Sequence, residues 1–224
     1  MAEASVASDV SAELTGFADR EVHWGRSSRM NDLEAMMWRA EADPMLRSHG
    51  LVLNLLERAP DWDRLVDAHE WGVRRVPRLA ARVVDDPARL GPPEWVPAEV
   101  DLAYHLRRAV LPAGADEEDV LAVADAMMMA PFDPARPLWE AMLVEGLPGG
   151  RAAYLIKLHH ALADGKGFVQ LFDLLFSDRA ETTADKYLPA ADVAEGLDPV
   201  ELSVRHALAG LQQAPGLLRR VARA

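Results

Sequence analysis

The sequence feature that most constrains the fold is a pair of apolar runs, residues 141–144 and 152–158, joined by the segment EGLPGG. Glycine and proline between two strand-like runs favour a tight reversal, so the pair predicts a β-hairpin. Two histidines, a short turn and an Asp-Gly pair follow the second run, and then comes the apolar-rich stretch KGFVQLFDLLF. The apolar positions of that stretch predict a helix that is buried over much of its circumference.

Strand-like and helical segments alternate along the rest of the chain. A helix is predicted at residues 34–39 by an Asn-Asp cap, at residues 61–75 by apolar spacing, and at residues 116–129 by an acidic first turn. Short apolar runs predict strands at residues 51–57 and 79–84, and the proline-rich residues 85–99 suit a surface connection. Together these segments predict the α/β class, as a two-layer sandwich with a mixed β-sheet and packed helices.

Composition excludes several function classes. The net charge of −12 argues against nucleic-acid binding, which needs a basic surface to neutralise phosphates. The chain has no cysteine, so disulfides, a thiolate nucleophile and cysteine-ligated zinc are excluded, and no metal site is predicted. There is no apolar run long enough for a transmembrane helix, and the N-terminus does not resemble a secretory signal. We expect a cytoplasmic protein, and peripheral contact with the inner membrane or lipid droplets is compatible with the sequence.

The residues most suited to chemistry are His159, His160, Asp164 and Gly165 at the predicted strand-to-helix turn. Taken separately, paired histidines are more often satisfied structural residues, and an Asp-Gly pair before a helix is more often a cap and a turn. Taken together, they place a histidine at a strand end, where ligand sites commonly form. Neutral imidazole accepts a proton near physiological pH, and the segment contains no serine or cysteine nucleophile. A histidine acting alone as a general base is therefore the simplest chemical interpretation.

These residues also carry a family resemblance. LIKLHHALADGKGFVQLF resembles the HHxxxDG segment of the chloramphenicol-acetyltransferase-like superfamily, which includes the condensation domains of peptide synthetases. Three further segments are similar to those of the bacterial wax ester synthase/diacylglycerol acyltransferase family and stand in the same order. They are NDLEAMMWRAE at residues 31–41, VDLAYHLR at residues 100–107 and PFDPARPLWE at residues 131–140.

The resemblance implies a fold of two similar α/β halves with a tunnel between them. It implies that His160 is the catalytic base, that Asp164 is mainly structural, and that His159 and Gly165 shape the catalytic loop. Acyl-CoA would be a co-substrate, with no permanently bound cofactor, and the acceptor would be diacylglycerol or a long-chain alcohol. The residues that bind CoA are not identified by the sequence.

Other residues admit two interpretations. Pro137, Leu138 and Trp139 could line the acyl path, although a tryptophan flanked by apolar residues is more often core. His105 could face the tunnel, although a structural role is the commoner one. Four arginines could steer anionic CoA, although a solvated face is the default for them: Arg74, Arg75, Arg78 and Arg82.

The chain departs from the family in length and in one loop. It is about half the length that the resemblance implies, so we expect the family's second half, with its asparagine-aspartate motif, to lie outside this chain. We therefore expect a mobile extension at residues 1–25, an acyltransferase N-terminal domain at residues 26–180, and a surface excursion with a helical connector at residues 181–224. The connector would lead to a C-terminal half, which could be a separate chain. The sequence KGFVQLF after the motif could alter acceptor preference.

Three functional hypotheses follow. The first is an O-acyltransferase half that makes triacylglycerol or wax esters from acyl-CoA. The second is a peptide-synthetase condensation domain or a polyketide-associated acyltransferase with the same motif. The third is a non-catalytic half that needs a C-terminal partner chain to complete a site.

Overall fold

The computed structural model describes residues 25–163, 165–175 and 196–221. The α-helices in those ranges are α1 (Asp32–Ala40), α2 (Trp62–Arg75), α3 (Leu102–His105), α4 (Glu117–Met129), α5 (Gly165–Leu175) and α6 (Pro199–Val221). The strands are β1 (His49–Leu56), β2 (Ala81–Val84), β3 (Glu94–Pro97), β4 (Leu106–Val110), β5 (Trp139–Glu145) and β6 (Ala152–His159). Residues 1–24 and 176–195, which hold most of the expected extension and excursion, lie outside the described ranges.

A mixed four-stranded sheet in the order β1-β6-β5-β4 forms the centre of the fold. Strand β6 pairs antiparallel with both β1 and β5, and β4 pairs parallel with β5. The predicted hairpin of β5 and β6 is therefore present, and the sheet is mixed as predicted. Strands β2 and β3 form a separate antiparallel pair.

Strand β6 is buried along its whole length. Its even-numbered residues Tyr154, Ile156 and Leu158 belong to the apolar core that α2 and α5 cover. On the opposite face, Ala153 and Leu155 pack with the apolar residues of α4. Burial on both faces explains why this strand reads as a continuous apolar run and does not alternate between polar and apolar residues.

Capping residues begin the helices where the sequence predicts them. Asn31 caps α1 and Glu34 completes a capping box, with hydrogen bonds of 2.9 and 3.0 Å to the opposite backbone N–H groups. Asp116 and Asp119 form the same arrangement at α4. Each box satisfies backbone donors that would otherwise lack partners in the first turn, which fixes where each helix begins.

Two strands were missed by the sequence analysis. Residues 85–99 do not form only a surface connection, because β3 lies within them and buries Trp95 and Val96. Two prolines before this short strand and Pro97 at its end suppress its sequence signal. Strand β4 was also unassigned, because a short helix and a strand follow each other directly in VDLAYHLR.

Helix α6 is held against the β2–β3 pair. Leu202 is fully buried against Val84 and Val96. The buried Asp86 carboxylate accepts a hydrogen bond from Ser203 and contacts Nδ1 of His206 at 2.8 Å. These contacts all involve the N-terminal part of α6.

We predict that Leu202→Ala lowers the free energy of unfolding by about 2–5 kcal/mol, because it leaves a cavity between α6 and the β2–β3 pair. Leu208→Ala on the same helix is the matched control, since Leu208 is 55% exposed. Its effect should stay within about 0.5 kcal/mol. Urea denaturation followed by circular dichroism measures both, and equal effects of the two variants would contradict this packing of α6.

Candidate functional site: the turn after strand β6

The two motif histidines point to opposite sides of the sheet. His159 is the last residue of β6 and is fully buried, whereas His160 begins the turn and is exposed. The opposite directions follow from the alternation of side chains along a strand. Only the second histidine therefore presents its ring to solvent.

The His160 ring lies between β1 and α5. Its backbone N–H donates to the carbonyl of Ser48 at 2.8 Å, which ties the turn to the residue before β1. The ring meets Phe168 of α5 edge to face, with centroids 5.6 Å apart. A Cβ at position 50 would lie 3.6 Å from Nε2 of His160, so Gly50 leaves space beside that nitrogen.

His159 is held by polar contacts on both ring nitrogens. The Ala161 N–H donates to Nδ1 at 2.9 Å, while Nε2 lies 3.1 Å from Oε1 of Glu41. The same carboxylate oxygen lies 2.6 Å from Nε2 of His49. Strand register explains this convergence, because His49 and His159 are cross-strand partners in the β1–β6 ladder.

Glu41 carries a perturbed carboxyl group. Burial by itself would raise its pKa, but the interactions with His159 and His49 outweigh burial and lower the pKa to about 2. Nε2 of each histidine lies close to this oxygen, and the two contacts favour the charged carboxylate over the neutral acid. Glu41 is therefore ionised at neutral pH beside two buried histidines.

Arg78 holds the other end of the turn. Its Nη1 donates to the carbonyls of Ala161 and Leu162, both at 3.1 Å, and to Oε1 of Glu34 at 2.7 Å. Its guanidinium also lies 5.0 Å from the ring centroid of Trp95. Arg78 is only 6% exposed, so the expectation of a solvated basic face is wrong for this arginine.

Pro137, Leu138 and Trp139 lie in the interior, and Leu138 and Trp139 belong to the main core. The Trp139 ring stacks with His105 and with His69, with centroids 4.6 and 6.0 Å away. Its indole N–H donates to Leu79 at 2.8 Å. The structure thus places this segment at the packing centre of the domain.

His105 packs against Trp139 and also contacts its backbone. Nδ1 of His105 lies 2.6 Å from the Trp139 carbonyl, which accepts the proton of that nitrogen. Burial lowers the pKa of His105. The ring is fully buried, so it has a structural position beside the β5 strand.

Two motif residues remain, the aspartate and the glycine. Asp164 lies outside the described residues, and Gly165 is the first residue of α5. Within the described residues, no group of three or more histidine or acidic side chains is arranged to hold a metal ion. None of the helices in those ranges combines the length and hydropathy needed to cross a bilayer.

Three residues that shape the turn were not assigned to the site from the sequence. Glu41 is the final residue of the NDLEAMMWRAE segment, His49 begins β1, and Arg78 sits in a short 3₁₀ turn before β2. They are far from the motif in the chain, and no local spacing links them to it. Only the register of β1 against β6 brings His49 to His159.

Comparison with known protein families identifies the family of this chain. The sequence-family model of the wax ester synthase/diacylglycerol acyltransferase catalytic domain matches residues 30–224. The chain belongs to the wax ester synthase/diacylglycerol acyltransferase family. The resemblance seen in the four sequence segments is therefore confirmed.

Related sequences in this acyltransferase family come from mycobacteria. One protein of Mycobacterium tuberculosis, provisionally named as a diacylglycerol O-acyltransferase, is 37% identical over 186 residues, which cover 81% of this chain and 38% of the relative. A second protein of that species with the same kind of name is 31% identical over 156 residues, which cover 67% and 33%. The chain therefore spans well under half the length of these relatives.

Solved structures confirm the α/β fold class of this wax ester synthase/diacylglycerol acyltransferase family member. The wax ester synthase/diacylglycerol acyltransferase of Marinobacter aquaeolei VT8 matches with a TM-score of 0.57 and 25% identity, covering 84% of this chain and 46% of that one. The first condensation domain of the CDA synthetase matches with a TM-score of 0.55 and 20% identity, covering 66% and 37%. The second likeness supports the fold alone.

We predict that Arg78→Met lowers the free energy of unfolding by about 2–5 kcal/mol, because Glu34 and two buried carbonyls lose their partner. Glu34→Gln removes one charge of the pair and is the matched single variant. The double variant should lose less free energy of unfolding than the two single variants lose together, because each single variant already removes the ion pair between Arg78 and Glu34. Additive effects in chemical denaturation would show that Arg78 and Glu34 do not interact.

We also predict a pH-dependent effect of Glu41→Gln. Because folding lowers the pKa of Glu41, its ionised form stabilises the fold above the unfolded-state pKa of about 4.5. That contribution is lost as pH falls through about 2. The variant should be less stable than wild type at pH 7 by about 1–3 kcal/mol, and the difference should shrink steadily below about pH 4.5. A difference that stays constant between pH 7 and pH 3 would contradict the ionised contact.

Proposed function

We propose that this chain supplies the catalytic base of an O-acyltransferase that moves a fatty acyl group from acyl-CoA to a hydroxyl. The acceptor class is diacylglycerol, giving triacylglycerol, or a long-chain alcohol, giving a wax ester. The observation that carries the proposal is the position of His160, exposed at the end of β6 while its neighbour His159 is buried. Family membership supports the same reaction class.

The proposed reaction needs one proton acceptor. His160 takes the hydroxyl proton as the alcohol oxygen attacks the thioester carbonyl carbon. The C–S bond then breaks, and the imidazolium returns the proton to the departing thiolate, which leaves a neutral histidine and free CoA. No covalent acyl-enzyme is required, because the alcohol attacks the thioester directly and residues 160–163 include no serine or cysteine.

The open side of the His160 ring fits an acceptor of this kind. Gly50 leaves room beside Nε2, and Phe168 supplies an apolar wall on the α5 side. An alcohol oxygen reaching Nε2 would therefore carry its apolar chain past aromatic surface. We propose that Asp164, which lies outside the described residues, acts mainly in holding the loop.

We propose that the C-terminal half of the family fold supplies the second wall of the site and part of the co-substrate contacts. The chain spans 38% of a mycobacterial relative and 46% of the Marinobacter structure. These proportions favour the alternative that the chain is a half that turns over only with a C-terminal half supplied. We therefore propose that the C-terminal half of the family fold is its principal partner.

We predict that His160→Ala reduces acyl transfer by about a hundredfold to ten-thousandfold, because general-base assistance is lost. His160→Gln should be equally impaired, since an amide keeps the size and cannot take up the proton. The control is Leu121→Ala on the outer face of α4, where Leu121 is 56% exposed. That variant should keep its activity, and all three should keep the wild-type melting temperature.

The assay uses radiolabelled acyl-CoA with diacylglycerol or a long-chain alcohol. The 224-residue chain is measured alone and with the separately expressed second half of a family member. Turnover only in the mixture supports the half-site alternative, and turnover by the chain alone removes it. Activity of His160→Ala equal to wild type in the active preparation would refute His160 as the base.

A further inference from the structure

One glutamate oxygen contacts two buried histidines, and one of them, His159, directly precedes the exposed His160 in the chain. We propose that Glu41, with His49 beside it, is a positioning residue for His160 and acts through His159. This inference rests on the proposed function of His160 as a base. Glu41 itself makes no described contact with the His160 ring, so its role is distinct from proton transfer.

Hydrogen bonding determines which nitrogen of His159 carries the proton. Its Nδ1 accepts the Ala161 N–H at 2.9 Å, so that nitrogen carries no proton. The neutral ring must then carry its proton on Nε2, which lies 3.1 Å from Oε1 of Glu41. A carboxylate favours an N–H on the nitrogen that faces it, so Glu41 selects the tautomer that leaves Nδ1 free to accept.

Neighbouring aromatic rings restrict the orientation of the His159 ring. Trp38 and Phe132 approach it edge to face, with centroids 6.1 and 6.4 Å away, and His49 lies 6.0 Å away on the neighbouring strand. In the observed orientation Nδ1 accepts the Ala161 N–H and Nε2 faces the Glu41 carboxylate. A flipped ring would turn carbon atoms toward both the Glu41 carboxylate and the Ala161 N–H.

A hydrogen bond across the turn connects the His159 ring to His160. The hydrogen bond from Ala161 to Nδ1 of His159 spans His160, so the His159 side chain closes the turn around it. The His160 N–H is anchored to Ser48 at 2.8 Å, which fixes the turn from its other side. Losing the Nδ1 acceptor would release one of these two restraints and let the His160 ring shift. A shift of about 1 Å in a catalytic group can cost about a hundredfold in rate.

The Glu41 cluster differs from a metal site in its geometry. Both histidines approach the same carboxylate oxygen through Nε2, at 2.6 and 3.1 Å, which leaves no central position for a cation. Among the residues that the structure describes, no metal-binding group is present. The Glu41 cluster is therefore a set of polar contacts that links β1 and β6 to the end of α1.

The experiment compares Glu41→Gln and Glu41→Asp with wild type. Glutamine keeps the size and removes the charge, and aspartate keeps the charge but retracts it by one methylene. The matched control is Glu94→Gln, because Glu94 is also buried and also contacts a histidine, His206 at 3.8 Å, outside this cluster. All measurements are made at pH 7 and at a temperature far below the melting temperature of each variant.

The structural readout is independent of activity. Long-range ¹⁵N–¹H spectra of the isolated 224-residue chain report which His159 nitrogen is protonated, and hydrogen exchange reports the Ala161 amide. We expect the Nε2-protonated form in wild type and Glu94→Gln. In Glu41→Gln the His159 tautomers should mix and the Ala161 amide should exchange about tenfold faster or more. Glu41→Asp should lie between wild type and Glu41→Gln.

The kinetic readout uses the preparation that turns over acyl-CoA. We expect kcat to fall by about tenfold to a hundredfold in Glu41→Gln with KM unchanged, because binding surfaces are intact and only the base is misplaced. Unchanged His159 and Ala161 signals in both Glu41 variants would overturn the proposal. So would altered signals with an unchanged kcat. Failure of the proposed function appears separately, as full activity in His160→Ala.

Discussion

The register of β1 against β6 is the constraint on which the site depends. It pairs His49 with His159 and thereby sends both side chains to one face of the sheet, where Glu41 meets them. The next residue, His160, must then turn toward the opposite face and α5. A slip of one residue would exchange the buried and the exposed histidine, so the apolar burial that fixes this register also assigns their roles.

Buried polar contacts then hold the turn after β6. Arg78 binds two turn carbonyls and Glu34, while the His159 ring accepts the Ala161 N–H. Such groups are costly to bury without partners, so each one restricts the alternatives open to its neighbours. The exposed His160 therefore sits on a short segment whose backbone is fixed from three directions: β1, α1 and the 3₁₀ turn before β2.

Local sequence signals predicted the parts of the fold that depend on local physics. The Asn31 cap, the helix with an acidic first turn at residues 116–129 and the β5–β6 hairpin were correctly predicted, because capping chemistry, first-turn charges and turn residues act over a few positions. Strand β3 was missed because prolines flank it, and the parallel β4–β5 pairing carries no local signature. Glu41, His49 and Arg78 reach the turn only through tertiary packing, so spacing alone could not place them there.

The most direct test of this arrangement is the reactivity of the two adjacent histidines. Diethyl pyrocarbonate modifies accessible neutral imidazole, and peptide mass spectrometry of the folded chain distinguishes His159 from His160. The structure predicts rapid modification of His160, with His159 protected until the protein unfolds. Equal modification rates for the two residues in the folded protein would contradict the burial of His159 in the Glu41 cluster and the assignment of the exposed His160 as the base.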